Sequence, residues 1–213
     1  MGMFLRRGAV STGPKLGDLD VGTLVKLNEN GSPVEFYVAK HDYESTLNGS
    51  GRTLVVRKDC YDERVFSGSN NAYASSSLDA FLTGTYFNLL DASVREKAGT
   101  TKFYYTPGFG NDTVTTLERA VFQLSLTELG QTARYANTEG TALPIASTLQ
   151  IAHRNGAAVE QWTRSPRKNA STVCFLYYDG YIGAEYYNTY KGSRPAFTLP
   201  ATIKVGDGNL ITG

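Results

Sequence analysis

Two short stretches, Trp162-Thr163-Arg164-Ser165-Pro166 and Gly192-Ser193-Arg194-Pro195-Ala196, enclose the most distinctive part of the sequence. Each stretch carries one arginine beside a proline-bounded turn. A planar guanidinium can bind several loop carbonyls, or a buried carboxylate, at the same time. We therefore expect Arg164 and Arg194 to stabilise the framework of the fold around the segment that they enclose.

The enclosed segment is rich in tyrosine. Six of the 14 tyrosines fall within residues 177–190, interspersed with glycine, asparagine and aspartate. A buried strand favours Val, Ile, Leu and Phe, because a buried tyrosine hydroxyl needs a hydrogen-bond partner. Clustered tyrosines between small polar residues are instead typical of a binding surface. The alternative is a pair of tyrosine-rich strands that only covers one face of a sheet.

Outside this segment, short apolar runs and glycine-rich turns predict an α+β domain. Apolar residues alternate on both sides of Asn30-Gly31, a pair that favours a tight hairpin turn. Further strands are expected at residues 53–57, 172–178, 196–199 and 202–205. Short helices are predicted at residues 77–83, after a serine cap, and 92–98, after Asp91 as cap and ion-pair partner of Arg95. The stretch 121–126 suits either a strand or the start of a helix. The expected architecture is a twisted antiparallel sheet with two short helices and long loops.

The overall composition excludes several classes of function. Twenty-one Lys and Arg residues balance twenty Asp and Glu residues, which argues against a protein that binds nucleic acid through its phosphates. No apolar run is long enough to insert into a membrane, and no secretory signal is recognisable near Met1. Cys60 and Cys174 are expected to be two separate buried thiols.

Motifs that would carry catalysis or bind a cofactor are missing. The sequence contains no nucleophile elbow, dinucleotide fingerprint, phosphate-binding loop or zinc-protease motif. His41 and His153 are isolated, and the carboxylates of residues 59–63 are flanked by basic residues, as in a solvated turn. Asp207-Gly208-Asn209 is only a fragment of a calcium loop. We therefore predict no enzyme activity, no metal site and no cofactor; calcium, the one ion worth testing, has no recognisable ligand set.

The order of the motifs resembles the DUF6273 family of Firmicutes-type bacteria and their phages. The C-terminal part of the resemblance lies in the two framing stretches, the Asp179-Gly180 turn, and Phe197 with Leu199-Pro200. The upstream marks are Leu16-Gly17-Asp18-Leu19, Val21-Gly22, Lys26-Leu27, Lys58-Asp59, residues 78–90, 122–130 and 140–144, and Asn155-Gly156. The resemblance extends over residues 16–205.

This resemblance implies a C-type-lectin-like fold, in the branch that includes the formylglycine-generating enzyme. The paired active-site cysteines of that enzyme have no counterpart around Cys60 and Cys174, so its activity is not implied. Similar proteins include variable ligand-binding proteins that diversity-generating retroelements mutate, among them phage tail receptor-binding proteins. Carried over to this chain, the ligand-binding positions are Arg167, Asn169, Ser171, Tyr177, Tyr178, Tyr181, Tyr186, Tyr187, Asn188 and Tyr190.

The resemblance therefore predicts a non-enzymatic ligand-binding protein of a phage virion, of the tail receptor-binding or adhesin type. Its partner would be a protein or glycan of the host surface. The alternative is a structural virion component, such as a head-decoration, collar or fibre subunit, that uses the same face for assembly.

The predicted organisation follows from this function. Residues 1–15 would form a flexible arm or one that docks on other virion subunits, residues 16–205 a single C-type-lectin-like domain, and residues 206–213 a glycine-rich tail. A homo-oligomer such as a trimer is expected, with no nucleic-acid partner and no membrane insertion. The protein would be made in the host cytoplasm and displayed on the particle; a bacterial cell surface is the alternative location.

Overall fold

The Asn30-Gly31 pair forms the hairpin turn that the sequence predicts, because both residues adopt positive φ angles of 50° and 74°. The structure, a computed structural model, describes residues 13–131 and 134–212. Residues 1–12, most of the predicted docking arm, lie outside the described residues. Gly13 to Lys15 lie beside residues 204–205, where the amide of Val205 donates to the carbonyl of Pro14.

Fifteen short strands are present in the described residues. They are β1 (Leu24–Glu29), β2 (Ser32–His41), β3 (Arg52–Arg57), β4 (Asp62–Val65), β5 (Thr101–Tyr105), β6 (Thr115–Arg119), β7 (Phe122–Gln123), β8 (Ala152–Arg154), β9 (Ala157–Val159), β10 (Gln161–Pro166), β11 (Thr172–Leu176), β12 (Ile182–Tyr186), β13 (Tyr190–Ser193), β14 (Pro195–Pro200) and β15 (Leu210–Ile211). One sheet has the order β15-β1-β2-β3-β14-β7, and a second has the order β12-β11-β10-β13-β4. The pairs β5-β6 and β8-β9 form separate hairpins.

The α+β class is confirmed, but the prediction of an antiparallel sheet is wrong. β1 pairs in parallel with β15, and β10 pairs in parallel with β13, so both larger sheets are mixed. Parallel neighbours are joined by long connections, and a local sequence pattern carries no signal for such pairs.

The helices are short and lie where the sequence places them. Ser77–Ala80 begins at Ser76, whose hydroxyl accepts a hydrogen bond from the Asp79 amide at 3.0 Å. The helical path continues as a π-helix over Phe81–Tyr86 and a 3₁₀ turn over Phe87–Leu89. The second predicted helix is present at Ala92–Ala98. Two further single turns occur at Ser45–Asn48 and Ala146–Leu149.

The side-chain role predicted for Asp91 is wrong. Its carboxylate accepts a hydrogen bond from Asn28 at 2.8 Å and makes no cap for the helix, while Arg95 donates to the carbonyls of Asn88 and Leu90. A tertiary partner 63 positions away therefore replaces the local cap.

The end of the described chain also differs from the prediction. Residues 202–205 make only an isolated bridge between Lys204 and Lys15 instead of a strand. The strand comes later, at Leu210–Ile211, and Ile211 is fully buried. Residues 206–212, predicted as a glycine-rich tail, are thus joined to the six-stranded sheet.

One apolar cluster runs between the two larger sheets and the helices, and it includes Phe36, Tyr43, Phe122, Trp162 and Phe197. Cys60 and Cys174 are separate buried thiols, as predicted. Among the described residues no helix is long and apolar enough to cross a membrane.

Candidate functional site

The tyrosine-rich segment folds as a hairpin at the edge of the five-stranded sheet. β11 and β12 pair antiparallel from Thr172 opposite Tyr186 to Leu176 opposite Ile182. The connecting turn is closed by two hydrogen bonds, from the Tyr177 amide to the Tyr181 carbonyl at 2.8 Å and from the Gly180 amide to the Tyr177 carbonyl at 2.9 Å. Because β12 is an edge strand, the hairpin lies at the margin of the sheet.

All tyrosines that are exposed belong to this segment. Tyr178, Tyr181, Tyr186 and Tyr190 are 58–74% exposed, and Tyr177 is 39% exposed. The other nine tyrosines are buried or half-buried, including Tyr187, which packs against the core. We call Tyr177, Tyr178, Tyr181, Tyr186 and Tyr190 the exposed tyrosines. Their confinement to one segment argues that they are surface residues with a common purpose.

Tyr177 is held in place by packing. Its ring contacts the Phe175 ring edge to face, with 4.7 Å between centroids. Gly183 lies opposite Phe175 on β12, and a Cβ at this position would come within 2.4 Å of that ring and 2.9 Å of the Tyr177 ring. Because Gly183 has no side chain, the rings of Phe175 and Tyr177 can lie across strand β12 at this position.

A buried cation, Lys191, lies against the Phe175 ring on which Tyr177 packs. The Lys191 ammonium lies 3.7 Å from the Phe175 ring centroid and 5.5 Å from that of Trp162. Glu160 accepts a hydrogen bond from it at 2.6 Å. The aromatic surface of the hairpin is thus continuous with the core.

The ten predicted binding residues do not form one cluster. Three lie at the hairpin tip (residues 177–181), and six lie at the hairpin base (residues 167–171 and 186–188), with the five residues of β11 between them. At about 3.3 Å per residue, Ser171 at the base and Tyr177 at the tip are about 20 Å apart along the strand. Those at the tip are Tyr177, Tyr178 and Tyr181; those at the base are Arg167, Asn169, Ser171, Tyr186, Tyr187 and Asn188; Tyr190 begins β13, opposite Val65 of β4.

A cleft of about 320 Å³ opens at the hairpin base. Ser171 and Tyr187 line it together with Asn70, Asn71 and Phe109. The Phe109 side chain is 77% exposed, and its backbone has a φ of 49°. An exposed phenylalanine in a left-handed conformation costs free energy, so this residue is held there by its surroundings.

Asn71 holds the Phe109 loop against the hairpin base. Its buried side chain accepts from the Phe109 amide at 2.8 Å and donates to the carbonyls of Ala170 and Thr172 at 2.9 and 3.1 Å. Sequence reasoning missed both residues. The sequence Gly108-Phe109-Gly110, an aromatic residue between two glycines, was the available signal for Phe109. Asn71 had none, because its partners are 38 to 101 positions away.

A second cleft, of about 420 Å³, opens at the hairpin tip. It is lined by Tyr181 and Asp179 on the hairpin side and by Gln131, Tyr135 and Gln150 on the facing loops. Gln131 donates to the Gly180 carbonyl at 3.2 Å, which fixes the loop to the turn. Arg167 lies 6.0 Å from the Tyr135 ring centroid. Each end of the hairpin therefore has its own recess beside exposed aromatic rings.

Arg164 has the framework role that the sequence predicts. It is fully buried, donates to Glu128 at 2.6 Å, and binds the carbonyls of Gln123 and Tyr104. Glu139 lies 4.0 Å from it, and burial raises the pKa of the Glu139 carboxyl. A paired, hydrogen-bonded ion in a dry core fixes the geometry of the loops around it.

Arg194 has the same role with different partners. It binds the carbonyls of Arg57, Leu149 and Lys58 at 2.5–2.9 Å and has no carboxylate partner among the described residues. Burial lowers the pKa of its guanidinium. The two arginines therefore anchor both ends of the segment that carries the hairpin.

The described residues contain no group of three or more His, Cys, Asp or Glu side chains arranged to hold a metal ion. Burial raises the pKa of Cys60 and of Cys174 to about 12, so neither thiol forms a nucleophilic thiolate at neutral pH. The chemistry that the hairpin offers is contact with aromatic rings, hydroxyls and amides.

Comparison with known proteins gives one result. A family model described as a domain of unknown function, DUF6273, matches residues 50–201, which is more than two thirds of the chain. The matched region contains both framing stretches, the hairpin and both clefts. Searches among curated proteins and among solved structures found no match.

Proposed function

We infer that this chain, which belongs to the DUF6273 family, is a binding protein that recognises its ligand through the exposed tyrosines. The observation that carries this proposal is that every exposed tyrosine lies in the segment from Tyr177 to Tyr190. Tyrosine rings supply large contact areas at a small cost in conformational entropy, and their hydroxyls add hydrogen bonds.

The support beneath the hairpin favours this function. Binding is tighter when the contacting side chains are already held in place, because less entropy is lost on association. Packing against Phe175 restrains Tyr177, and Asn71 restrains Phe109 beside the hairpin base. Both ends of the hairpin can then contact one ligand of protein or oligosaccharide size.

The finer parts of the proposal rest on the family resemblance. We propose a C-type-lectin-like fold, a place on the surface of a phage particle, and a host protein or glycan as ligand. Diversification of residues 167–190 by a retroelement is part of the same proposal. Under it the protein is not an enzyme, and other virion subunits contact residues 1–15.

The test uses the full chain with a fluorescent label and two probes, intact cells of Firmicutes-type bacteria and an array of bacterial surface glycans. The variant Tyr178→Ala, Tyr181→Ala, Tyr186→Ala removes three exposed rings and leaves the half-buried Tyr187 in place. The control Glu96→Ala, Lys97→Ala changes two exposed residues of the helix Ala92–Ala98.

We expect the unmodified chain and the control to bind at least one probe equally well. The triple variant should lose at least tenfold in affinity while its Tm changes by no more than about 2 °C. Unchanged affinity in the triple variant contradicts the proposal. A large drop in Tm would show instead that the rings stabilise the fold. An assembly role predicts a different result, namely loss of an oligomer in the triple variant by light scattering.

A further inference from the structure

A pocket of about 470 Å³ lies away from the hairpin, between the turn that follows β2, strand β5 at Tyr104 and the loop around Gly140. Its lining includes Lys40, Glu44, Tyr104 and Thr141. None of its lining residues is among the ten binding positions predicted from the sequence. The pocket is large enough for a small organic ligand.

Glu44 supplies an unused hydrogen-bond acceptor at this pocket. Its side chain is 8% exposed, and Oε1 is buried without a hydrogen-bond partner among the described residues. Burial raises the pKa of the Glu44 carboxyl, and the Lys40 ammonium opposes this shift. Buried carboxylate oxygens in native proteins are almost always hydrogen-bonded, so an oxygen to which no described residue donates is available to a donor from outside the chain.

The backbone around Glu44 is also held in an unfavourable conformation. Asp42 and Glu44 have φ angles of 49° and 45°, although neither residue is glycine. Asp42 is fixed by the Gly51 amide, which donates to its carboxylate at 2.6 Å, and the carbonyl of Glu44 accepts the amides of Leu47 and Asn48. Backbone strain that is maintained in this way is concentrated at functional sites.

The spacing of Lys40 and Glu44 suits a bridging hydroxyl. Lys40 Nζ lies 3.9 Å from Glu44 Oε1, which is too far for a direct hydrogen bond, and it donates to Thr141 Oγ1 at 2.9 Å. An oxygen placed about 2.8 Å from both atoms would accept from the ammonium and donate to the carboxylate at an angle near 90°. A ligand hydroxyl has both capacities, whereas an ammonium would be repelled by Lys40.

We propose that this pocket binds a polyhydroxylated ligand of the size of a saccharide unit, one of whose hydroxyls bridges Lys40 Nζ and Glu44 Oε1. Thr138 and Thr141 offer further hydroxyls, and the ring of Tyr104 offers a face for the apolar side of a sugar. Because Oε1 is covered in the free protein, binding requires a small shift of the pocket side chains; Lys40 is 22% exposed and flexible, and a shift of its stem that leaves Nζ about 3.9 Å from Oε1 keeps the bridge.

The experiment titrates the full chain with the methyl glycosides of glucose, galactose, mannose and N-acetylglucosamine, and with glycerol as a small polyol. Binding is measured by saturation-transfer NMR and calorimetry. A trisaccharide of any glycoside that binds distinguishes recognition of a glycan chain from recognition of a free sugar. The variants are Glu44→Gln, Lys40→Met and Tyr104→Ala; the third leaves the buried carboxylate untouched.

We expect saturable binding of at least one glycoside, with no binding of glycerol. Glu44→Gln and Lys40→Met should each weaken the binding of this glycoside at least tenfold. Tyr104→Ala should weaken it as well, and this variant provides the test if either of the other two fails to fold. The absence of saturable binding, or full affinity in the folded variants, overturns the proposal. This inference does not rest on the function proposed for the hairpin, and the two fail separately because their variants share no residue.

Discussion

Tyrosine serves two opposite purposes in two regions of this molecule. In the core, Tyr43, Tyr73 and Tyr86 are completely buried. On the hairpin, the exposed tyrosines turn the same ring toward solvent. The residue type alone therefore does not tell a core tyrosine from a surface tyrosine.

The difference lies in the partner of the hydroxyl. Tyr43 donates to Glu128, Tyr86 donates to Glu29, and the Tyr73 hydroxyl accepts from the Gln123 amide at 2.9 Å. Burial raises the pKa of all three phenols, so they stay neutral donors and acceptors. A tyrosine can be a core residue wherever a buried partner exists. In the part of the chain that the structure describes, the exposed tyrosines of the hairpin have no such buried partner, and their rings face solvent.

The largest expected effect comes from Arg164, the buried cation that pairs with Glu128, the hydrogen-bond partner of Tyr43. Arg164→Met leaves Glu128 and Glu139 buried without their cation, and we expect a loss of about 3 to 5 kcal/mol in the free energy of unfolding. Urea denaturation measures it. The control Arg154→Met removes only the exposed ion pair with Glu63, at 3.3 Å, and should cost less than about 1 kcal/mol. Equal costs in both variants would contradict the framework role of Arg164.

Removing single hydroxyls tests the comparison directly. Tyr43→Phe and Tyr86→Phe each take a donor from a buried carboxylate and should each cost about 1 to 3 kcal/mol. Tyr181→Phe and Tyr190→Phe remove the same atom from exposed rings and should change stability by less than about 0.5 kcal/mol. Thermal and urea denaturation of the four variants measure these changes in stability. If the two pairs behave alike, burial does not separate the two uses of tyrosine.

Gly183→Ala connects the two regions. The added methyl group collides with the Phe175 ring and must displace both this ring and Tyr177. We expect a cost of about 1 kcal/mol or somewhat more, because an edge strand can partly adjust. Affinity for any ligand of the hairpin should fall as well, although no ligand-contacting atom is removed. Gly68→Ala, where the backbone is not left-handed and a methyl group meets no neighbour within 4 Å, controls for the change of glycine to alanine without a collision. Unchanged ligand binding in Gly183→Ala would refute the restraint proposed for Tyr177.

The smallest expected effect is a pH dependence at Glu44. Burial raises the pKa of its carboxyl above the ordinary value of 4.5 in the folded state. The folded protein therefore binds this proton more tightly than the unfolded chain, and the associated stability is lost as pH rises from 4.5 through the raised pKa. Glu44→Gln should remove this decline in stability. We expect the decline to be smaller than the loss of stability in Gly183→Ala, because the Lys40 ammonium favours the charged carboxylate. Urea denaturation between about pH 4 and 8 compares the two proteins, and parallel curves would show that Glu44 does not contribute.

Local signals in the sequence were sufficient for several elements. The Asn30-Gly31 turn, the Ser76 cap and the helix Ala92–Ala98 each depend on neighbours within a few positions. The framework role of Arg164 followed from the residue type beside a proline turn. The exposure of the hairpin tyrosines agreed with their spacing among small polar residues.

Features that depend on distant residues could not be predicted. Tyr43 finds its partner Glu128 85 positions away, and no local pattern indicates that this tyrosine is a core residue. The single binding surface expected at residues 167–190 is divided in the structure, because β11 and β12 place its members at opposite ends of a hairpin. The strained Glu44 was not recognised, because a glutamate gives no signal for a left-handed backbone; its carbonyl accepts the amides of Leu47 and Asn48, and the Gly51 amide fixes Asp42 beside it.

The parallel pairing of β15 with β1 also bears on the order of folding. The Asn209 side chain donates to the Leu24 carbonyl across 185 positions, and closing so long a loop costs much entropy before any contact is gained. Such contacts form late and slow the whole reaction. We therefore expect β1 to pair with β2 alone during most of refolding, and those amides of residues 24–29 that face β15 to become protected from hydrogen exchange only in the last kinetic phase.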